Sequence, residues 1–76
     1  MNYRELDTVV VARDLPLHGL RRGDVGAVVH VHSADCVEVE FVTATGLTQS
    51  VVMLAGDDIR PVCDRDLLAV RRLDAA

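Results

Sequence analysis

Two histidines, a cysteine and a glutamate are the residues best placed in the sequence to do chemistry. His30 and His32 are two positions apart and therefore share one face of a β-strand. Cys36 and Glu38 follow in the next apolar segment, and imidazole and thiolate groups bind Zn²⁺, so His30, His32 and Cys36 form a candidate metal site. The sequence lacks the second spaced pair of ligands typical of zinc sites. It therefore favours the alternative, in which His30 and Glu38 form a solvated ion pair across two strands.

Nucleophilic catalysis has few candidate residues. Cys36 and Cys63 are the only cysteines, and each would need one of the three histidines as its base. The chain has no nucleophile elbow and no phosphate-binding glycine loop, and a small barrel has little volume for a deep pocket. Because neither cysteine lies in a C-x-x-C pair, we expect reduced, partly buried thiols. The sequence predicts no enzymatic activity and no cofactor.

The charge balance favours a protein partner. All eight basic residues are arginines, and twelve acidic residues give the chain a formal charge of −4. This acidic field and the presence of only Tyr3 and Phe41 as aromatic residues argue against nucleic acid, which needs clustered positive charge and stacking surfaces. No apolar run approaches the length of a membrane span, and the N-terminal residues lack an apolar signal region, so we expect a cytoplasmic protein without membrane contact.

Short β-branched segments separated by turn residues predict an all-β fold. The expected strands cover residues 8–12, 26–32, 36–42, 47–54 and 59–62, the last at a sheet edge because Pro61 cannot donate a ladder hydrogen bond. Five short strands without a long helix predict a small five-stranded SH3-like barrel over residues 1–63. The expected core comprises Val9 or Val10, Leu15, Leu20, Val29, Val31, Val39, Phe41, Val51 and Ile59.

The hairpin between the second and third strands has a self-consistent register. A three-residue loop at 33–35 places His30 opposite Glu38 on the outer face and Val29 opposite Val39 on the inner face. The fourth strand is apolar on both faces over residues 51–54, which suggests burial between two layers. In the turn before the second strand, Gly23 supplies a left-handed conformation and the Asp24 carboxylate accepts backbone N–H groups.

Residues 64–76 differ from the barrel and form a helical or flexible tail. Asp64 is a candidate N-cap for a short helix with Leu67, Leu68 and Leu73 along one stripe. The stripe either covers the open end of the barrel or contacts a partner or second copy.

A series of short motifs in residues 4–62 resembles a known family. In order, the motifs are Glu5-Leu6-Asp7-x-Val9-Val10, Asp14-Leu15-Pro16-x-x-Gly19-Leu20-x-x-Gly23-Asp24-x-Gly26-x-Val28-Val29, Val37-Glu38-Val39-Glu40-Phe41 and Asp57-Asp58-Ile59-Arg60-Pro61-Val62. They resemble those of short bacterial proteins of unknown function. The resemblance implies a stand-alone SH3-like barrel without established catalytic residues. Such proteins often sit beside toxin-like proteins in genomes, which implies an antitoxin or immunity role.

A more distant resemblance concerns the turn and strand Gly23-Asp24-x-Gly26-x-Val28. It is similar to the KOW motif of ribosomal and transcription proteins, and to SH3-like subunits of nitrile hydratase, ferredoxin–thioredoxin reductase and photosystem I. In most of these the barrel docks on a larger protein. The chain departs from nucleic-acid-binding KOW domains in being acidic and nearly free of aromatic residues.

These observations together predict a non-catalytic protein-binding module. The expected partner is a cognate toxin or a larger subunit, a homodimer remains open, and RNA or ribosome binding is the alternative. The candidate partner-binding residues are Arg21, Arg22, Glu38, Glu40, Asp57 and Asp58.

Overall fold

Five antiparallel strands form one strongly bent sheet. The structure is a computed structural model that describes residues 2–74. Its strands are β1 (Thr8–Val11), β2 (Val25–Ser33), β3 (Cys36–Val42), β4 (Thr48–Ala55) and β5 (Ile59–Pro61), with short 3₁₀ turns at Pro16–His18 and Gly56–Asp58. The sheet order is β4-β3-β2-β1-β5. This architecture confirms the expected all-β fold, a small SH3-like barrel, and places Pro61 on an edge strand.

The core lies on the concave face of the sheet. Val37, Val39 and Phe41 of β3 are buried, whereas Cys36, Glu38 and Glu40, which alternate with them, are only partly buried. This alternation agrees with the pattern in the sequence. The other buried hydrophobic residues are Tyr3, Val9, Val10, Val11, Leu20, Val28, Leu54 and Ile59. Leu15 and Val31 pack against this core without being fully buried.

The β2–β3 hairpin corrects the expected register. Ser33 pairs with Cys36, so the turn has two residues instead of three, while His30 still faces Glu38. A shift in register between Val28 and His30 brings Val28 opposite Val39. Because a bulge reverses which residues face inward, Val28 is completely buried and Val29 is 37% exposed. The expectation that Val29 belongs to the core is therefore wrong.

β4 also differs from expectation, because only one of its faces is covered. Leu54 is buried, but Val51 and Met53 are 49% and 54% exposed on the other face. The sheet bends into a single barrel, and no second layer among residues 2–74 covers this outer face. Val51 is thus not a core residue, and β4 is not enclosed between layers.

The expected C-terminal helix is absent from the described part of the tail. Residues 64–74 contain turns but no helix, and Leu67, Leu68 and Leu73 are exposed rather than packed over the barrel. A helix of about ten residues is marginal without a surface on which to bury its apolar side. Ion pairs of Asp66 and Arg71 hold the tail against the barrel instead. The remainder of the predicted helical segment, residues 75–76, lies outside the described residues.

Two simpler features complete the fold. Both cysteines are free; Cys36 is partly buried as expected, but Cys63 is exposed. Across residues 2–74, no helix has the length and apolar character needed to cross a membrane.

Candidate functional site

The outer surface of β3 and β4 carries carboxylates beside apolar side chains. Glu38 lies opposite Met53, and Glu40 lies opposite Val51, in the antiparallel pairing of the two strands. Since residues directly opposite each other share a face, these four side chains form one patch, which we call the β3–β4 face. Two of the predicted partner-binding residues, Glu38 and Glu40, therefore lie beside half-exposed apolar residues that the sequence had suggested were buried.

The carboxylates of the β3–β4 face are held by neighbouring side chains. His32 Nε2 lies 2.6 Å from Glu38 Oε1, and Thr48 Oγ1 donates to Glu40 Oε2 at 2.6 Å. His30, opposite Glu38 in the ladder, places its Nδ1 3.9 Å from Glu5 Oε1 instead. His32 therefore takes the place of His30 as the partner of Glu38. A second shift in register, between Val31 and Ser33, changes the direction in which the histidine side chains point.

The two histidines of the candidate metal site are neighbours, but the candidate ligands do not converge. The rings of His30 and His32 meet edge to face with centroids 4.4 Å apart. Among residues 2–74, no group of three or more His, Cys, Asp or Glu side chains is arranged to hold a metal ion. The geometry therefore provides an imidazole–carboxylate contact rather than a ligand cluster.

The predicted acidic pair Asp57 and Asp58 divides into two roles. Asp58 Oδ1 accepts a hydrogen bond from Arg13 Nε at 2.9 Å, and its Oδ2 accepts the Ala55 N–H at 3.1 Å. These contacts fix the 3₁₀ turn that joins β4 to β5. Asp57 is exposed at the same turn. We conclude that the carboxylate of Asp58 is engaged within the fold, whereas that of Asp57 faces solvent.

Arg21 and Arg22 lie in the exposed turn before β2. Their backbone N–H groups donate to Asp24 Oδ2 at 2.8 Å and to Asp14 Oδ1 at 2.9 Å. Gly23 completes the turn with a φ of 98°, as the sequence analysis expected. The six predicted partner-binding residues thus occupy three separate elements: this turn, β3 and the Gly56–Asp58 turn.

A contact that the sequence analysis did not identify joins the tail to this turn. Arg71 Nε donates to Asp24 Oδ1 at 2.9 Å, and Arg71 Nη2 donates to Asp24 Oδ2 at 2.7 Å and to the Gly19 carbonyl at 3.2 Å. Burial alone would raise the pKa of Asp24, but the hydrogen bonds from Arg71 and from the Arg21 N–H outweigh it and hold the pKa below its usual value. No local sequence pattern indicates this contact, because Asp24 and Arg71 are 47 positions apart in the chain.

A second ion pair holds the start of the tail. Arg60 binds Asp66 through two hydrogen bonds of 2.8 and 2.9 Å, and the Cys63 N–H donates to Asp66 Oδ2 at 2.7 Å. The Arg60 hydrogen bonds, followed by that of Cys63, lower the pKa of Asp66 from 3.8 to about 2. The turn at residues 63–66 is therefore tied to β5.

This ion pair gives a direct pH prediction. Because the pKa of Asp66 is lower in the folded chain, its stabilising contribution is complete above the ordinary value and is lost as the pH falls towards about 2. A titration followed by the ¹³C shift of the Asp66 carboxyl group should have its midpoint near that value. Replacing Arg60 with alanine should move the midpoint upward. An unchanged midpoint in R60A would contradict the assignment of the shift to Arg60.

Comparisons with known proteins give a family but no characterised relative. No curated protein and no solved structure matches the chain. The matching family model is a domain of unknown function, DUF4926, and it covers residues 5–61. These limits include all five strands and exclude the tail. The chain belongs to the uncharacterised DUF4926 domain family.

Proposed function

We propose that this protein is a non-catalytic protein-binding module and that its principal contact surface is the β3–β4 face. The observation that carries the proposal is the half-exposed pair Val51 and Met53 beside two carboxylates on adjacent strands. Half-exposed apolar side chains bordered by polar groups are typical of protein interfaces.

The chemistry of the β3–β4 face favours a partner with basic side chains. Glu38 and Glu40 are among the twelve acidic residues that give the chain its formal net charge of −4. Such a field attracts a positively charged protein and repels nucleic acid. Met53 adds an unbranched, polarisable side chain that adapts to the shape of a partner surface.

The edge position of β4 supports a protein partner independently. β4 is the first strand in the sheet order and pairs only with β3 among the described residues. Its residues, Thr48–Ala55, include no charged residue and no proline, the usual devices that prevent pairing at an edge. An extended segment of a partner therefore has main-chain hydrogen-bonding groups available next to the β3–β4 face.

The specific partner we propose is a cognate toxin-like protein, neutralised by this domain in the cytoplasm. The resemblance to short proteins that often lie beside toxin-like proteins supports this choice. A larger enzyme subunit and a second copy of the chain are alternative occupants of the same face.

Substitution on the β3–β4 face tests the proposal. Co-expression with the product of the adjacent gene should give a complex, and Met53→Arg should weaken it by about tenfold or more, since it removes an apolar contact and adds a charge of the partner's sign. Leu17→Arg is the matched control, because Leu17 is 98% exposed in a separate 3₁₀ turn. A folded M53R variant that binds as tightly as the L17R variant contradicts the proposed surface.

RNA binding is a distinct outcome of the same study. It would appear as salt-sensitive retention on RNA that falls when Arg21 and Arg22 are replaced with alanine. Such retention, together with failure to bind the product of the adjacent gene, would replace the proposed function with the alternative.

A further inference from the structure

Arg71 is held in a way that differs from the rest of the tail. It makes three hydrogen bonds, two to the Asp24 carboxylate and one to the Gly19 carbonyl. The side chains of Asp24 and Arg71 are only 15% and 23% exposed. By contrast, Leu67 and Val70 are almost fully exposed. Over residues 67–74, therefore, the tail is attached to the barrel mainly by one guanidinium group.

The tail leaves space between itself and the barrel. A cavity of about 540 Å³ lies there, with Leu20, Val25, Phe41 and Val42 of the barrel among its lining residues. Leu73 of the tail also lines it but remains half exposed. The tail therefore makes hydrogen bonds at the polar end of this cavity, to Asp24 and the Gly19 carbonyl, without filling its apolar part.

We propose that Asp24 and the Gly19 carbonyl form an arginine-recognition site for an extended segment of another protein, and that the chain's own tail occupies this site in its absence. The segment carries an arginine followed, two positions later, by a bulky apolar residue. That spacing is the one between Arg71 and Leu73, and in an extended chain it places both side chains on the same side.

The geometry selects arginine over lysine. The planar guanidinium presents parallel N–H groups to both oxygens of a carboxylate and retains another N–H for the carbonyl. The carboxylate is positioned before any ligand arrives, because Asp24 Oδ2 also accepts the Arg21 N–H at 2.8 Å. A lysine has a single ammonium group on a flexible stem and cannot reproduce this pattern.

Occupation by the tail makes the site regulated. A partner segment must displace Arg71, so its apparent affinity is its intrinsic affinity multiplied by the fraction of molecules in which the site is free. A segment that also fills the apolar cavity gains burial that the tail does not obtain. The arginine-recognition site and its cavity share no residue with the β3–β4 face, so this inference does not depend on the proposed function.

Peptide binding to the full chain tests the inference. The Arg71→Ala variant frees the site, and the probe is a peptide with the sequence of residues 67–74. We expect the peptide to shift the NMR amide signals of Gly19, Asp24 and Phe41 in this variant, and to bind the unaltered protein at least about tenfold more weakly. A peptide with Leu73→Phe should bind more tightly than the native sequence.

Two controls distinguish arginine recognition from non-specific peptide binding. A peptide with citrulline in place of Arg71 keeps the shape but loses the charge, and it should not bind. Asp24→Asn in the Arg71→Ala background keeps an acceptor oxygen for the turn and should also abolish binding. Lack of binding by the native peptide, or equal binding by the citrulline peptide, overturns the arginine site. Equal affinities for the Arg71→Ala variant and the unaltered protein overturn occupation by the tail.

Discussion

Replacing Gly26 with alanine is expected to lower the free energy of unfolding by about 2–3 kcal/mol. Gly26 is buried in β2 beside the paired strand β3, and an added Cβ would lie 2.6 Å from Val39 Cγ1, 2.8 Å from Phe41 Cε1 and 2.9 Å from the Glu40 carbonyl oxygen. The carbonyl belongs to the backbone of a central strand and cannot move without disturbing the ladder. For a domain of this size the loss corresponds to a fall in Tm of roughly 10–20 °C, measurable by circular dichroism.

Gly56→Ala is the matched control for this substitution. At Gly56 the nearest atom to an added Cβ is the Ala34 carbonyl oxygen at 3.9 Å, an ordinary van der Waals distance. We expect its Tm to stay within a few degrees of the unaltered protein. Equal melting temperatures for the two variants would contradict the close packing of Gly26 against β3.

Leu54→Ala is expected to destabilise the protein by about 2–5 kcal/mol, because it leaves a cavity in the core. Leu54 is 2% exposed and is among the largest fully buried side chains. Since small domains are stable by only about 5–15 kcal/mol, much of the stability would be lost. Urea unfolding should show a lower midpoint.

Leu47→Ala provides the control with the same change of side chain. Leu47 is 69% exposed just before β4, so its truncation should shift the urea midpoint only slightly. A similar shift for both leucines would mean that the inner face of β4 is not packed as described.

The parts of the fold that were predictable from the sequence are those set by local rules. The alternation in β3 identifies its inner residues, because successive side chains point to opposite faces. Gly23 and Pro61 likewise mark a turn and an edge strand through their own backbone restrictions. Glu38 and Glu40 were correctly placed on the outer face for the same reason.

The features that the sequence did not reveal depend on tertiary structure. The bulge at Val29 is a property of two paired strands, and it changes which valines of β2 are buried. Val51 and Met53 are exposed because no second layer covers β4 within the described part of the chain, a fact that an apolar strand pattern does not disclose. The contact of Arg71 with Asp24 joins the tail to a turn that is distant in the sequence.

The position of β1 between β2 and β5 has a consequence for the order of assembly. β2, β3 and β4 pair with their neighbours along the chain, whereas Val10 of β1 pairs with Arg60 of β5. Contacts between residues so far apart in the sequence require the closure of a long loop, which costs chain entropy, and they form slowly. A nascent or proteolysed chain that stops before Ile59 leaves Val9–Val11 with an unpaired edge, and this edge is then open to aggregation with other chains.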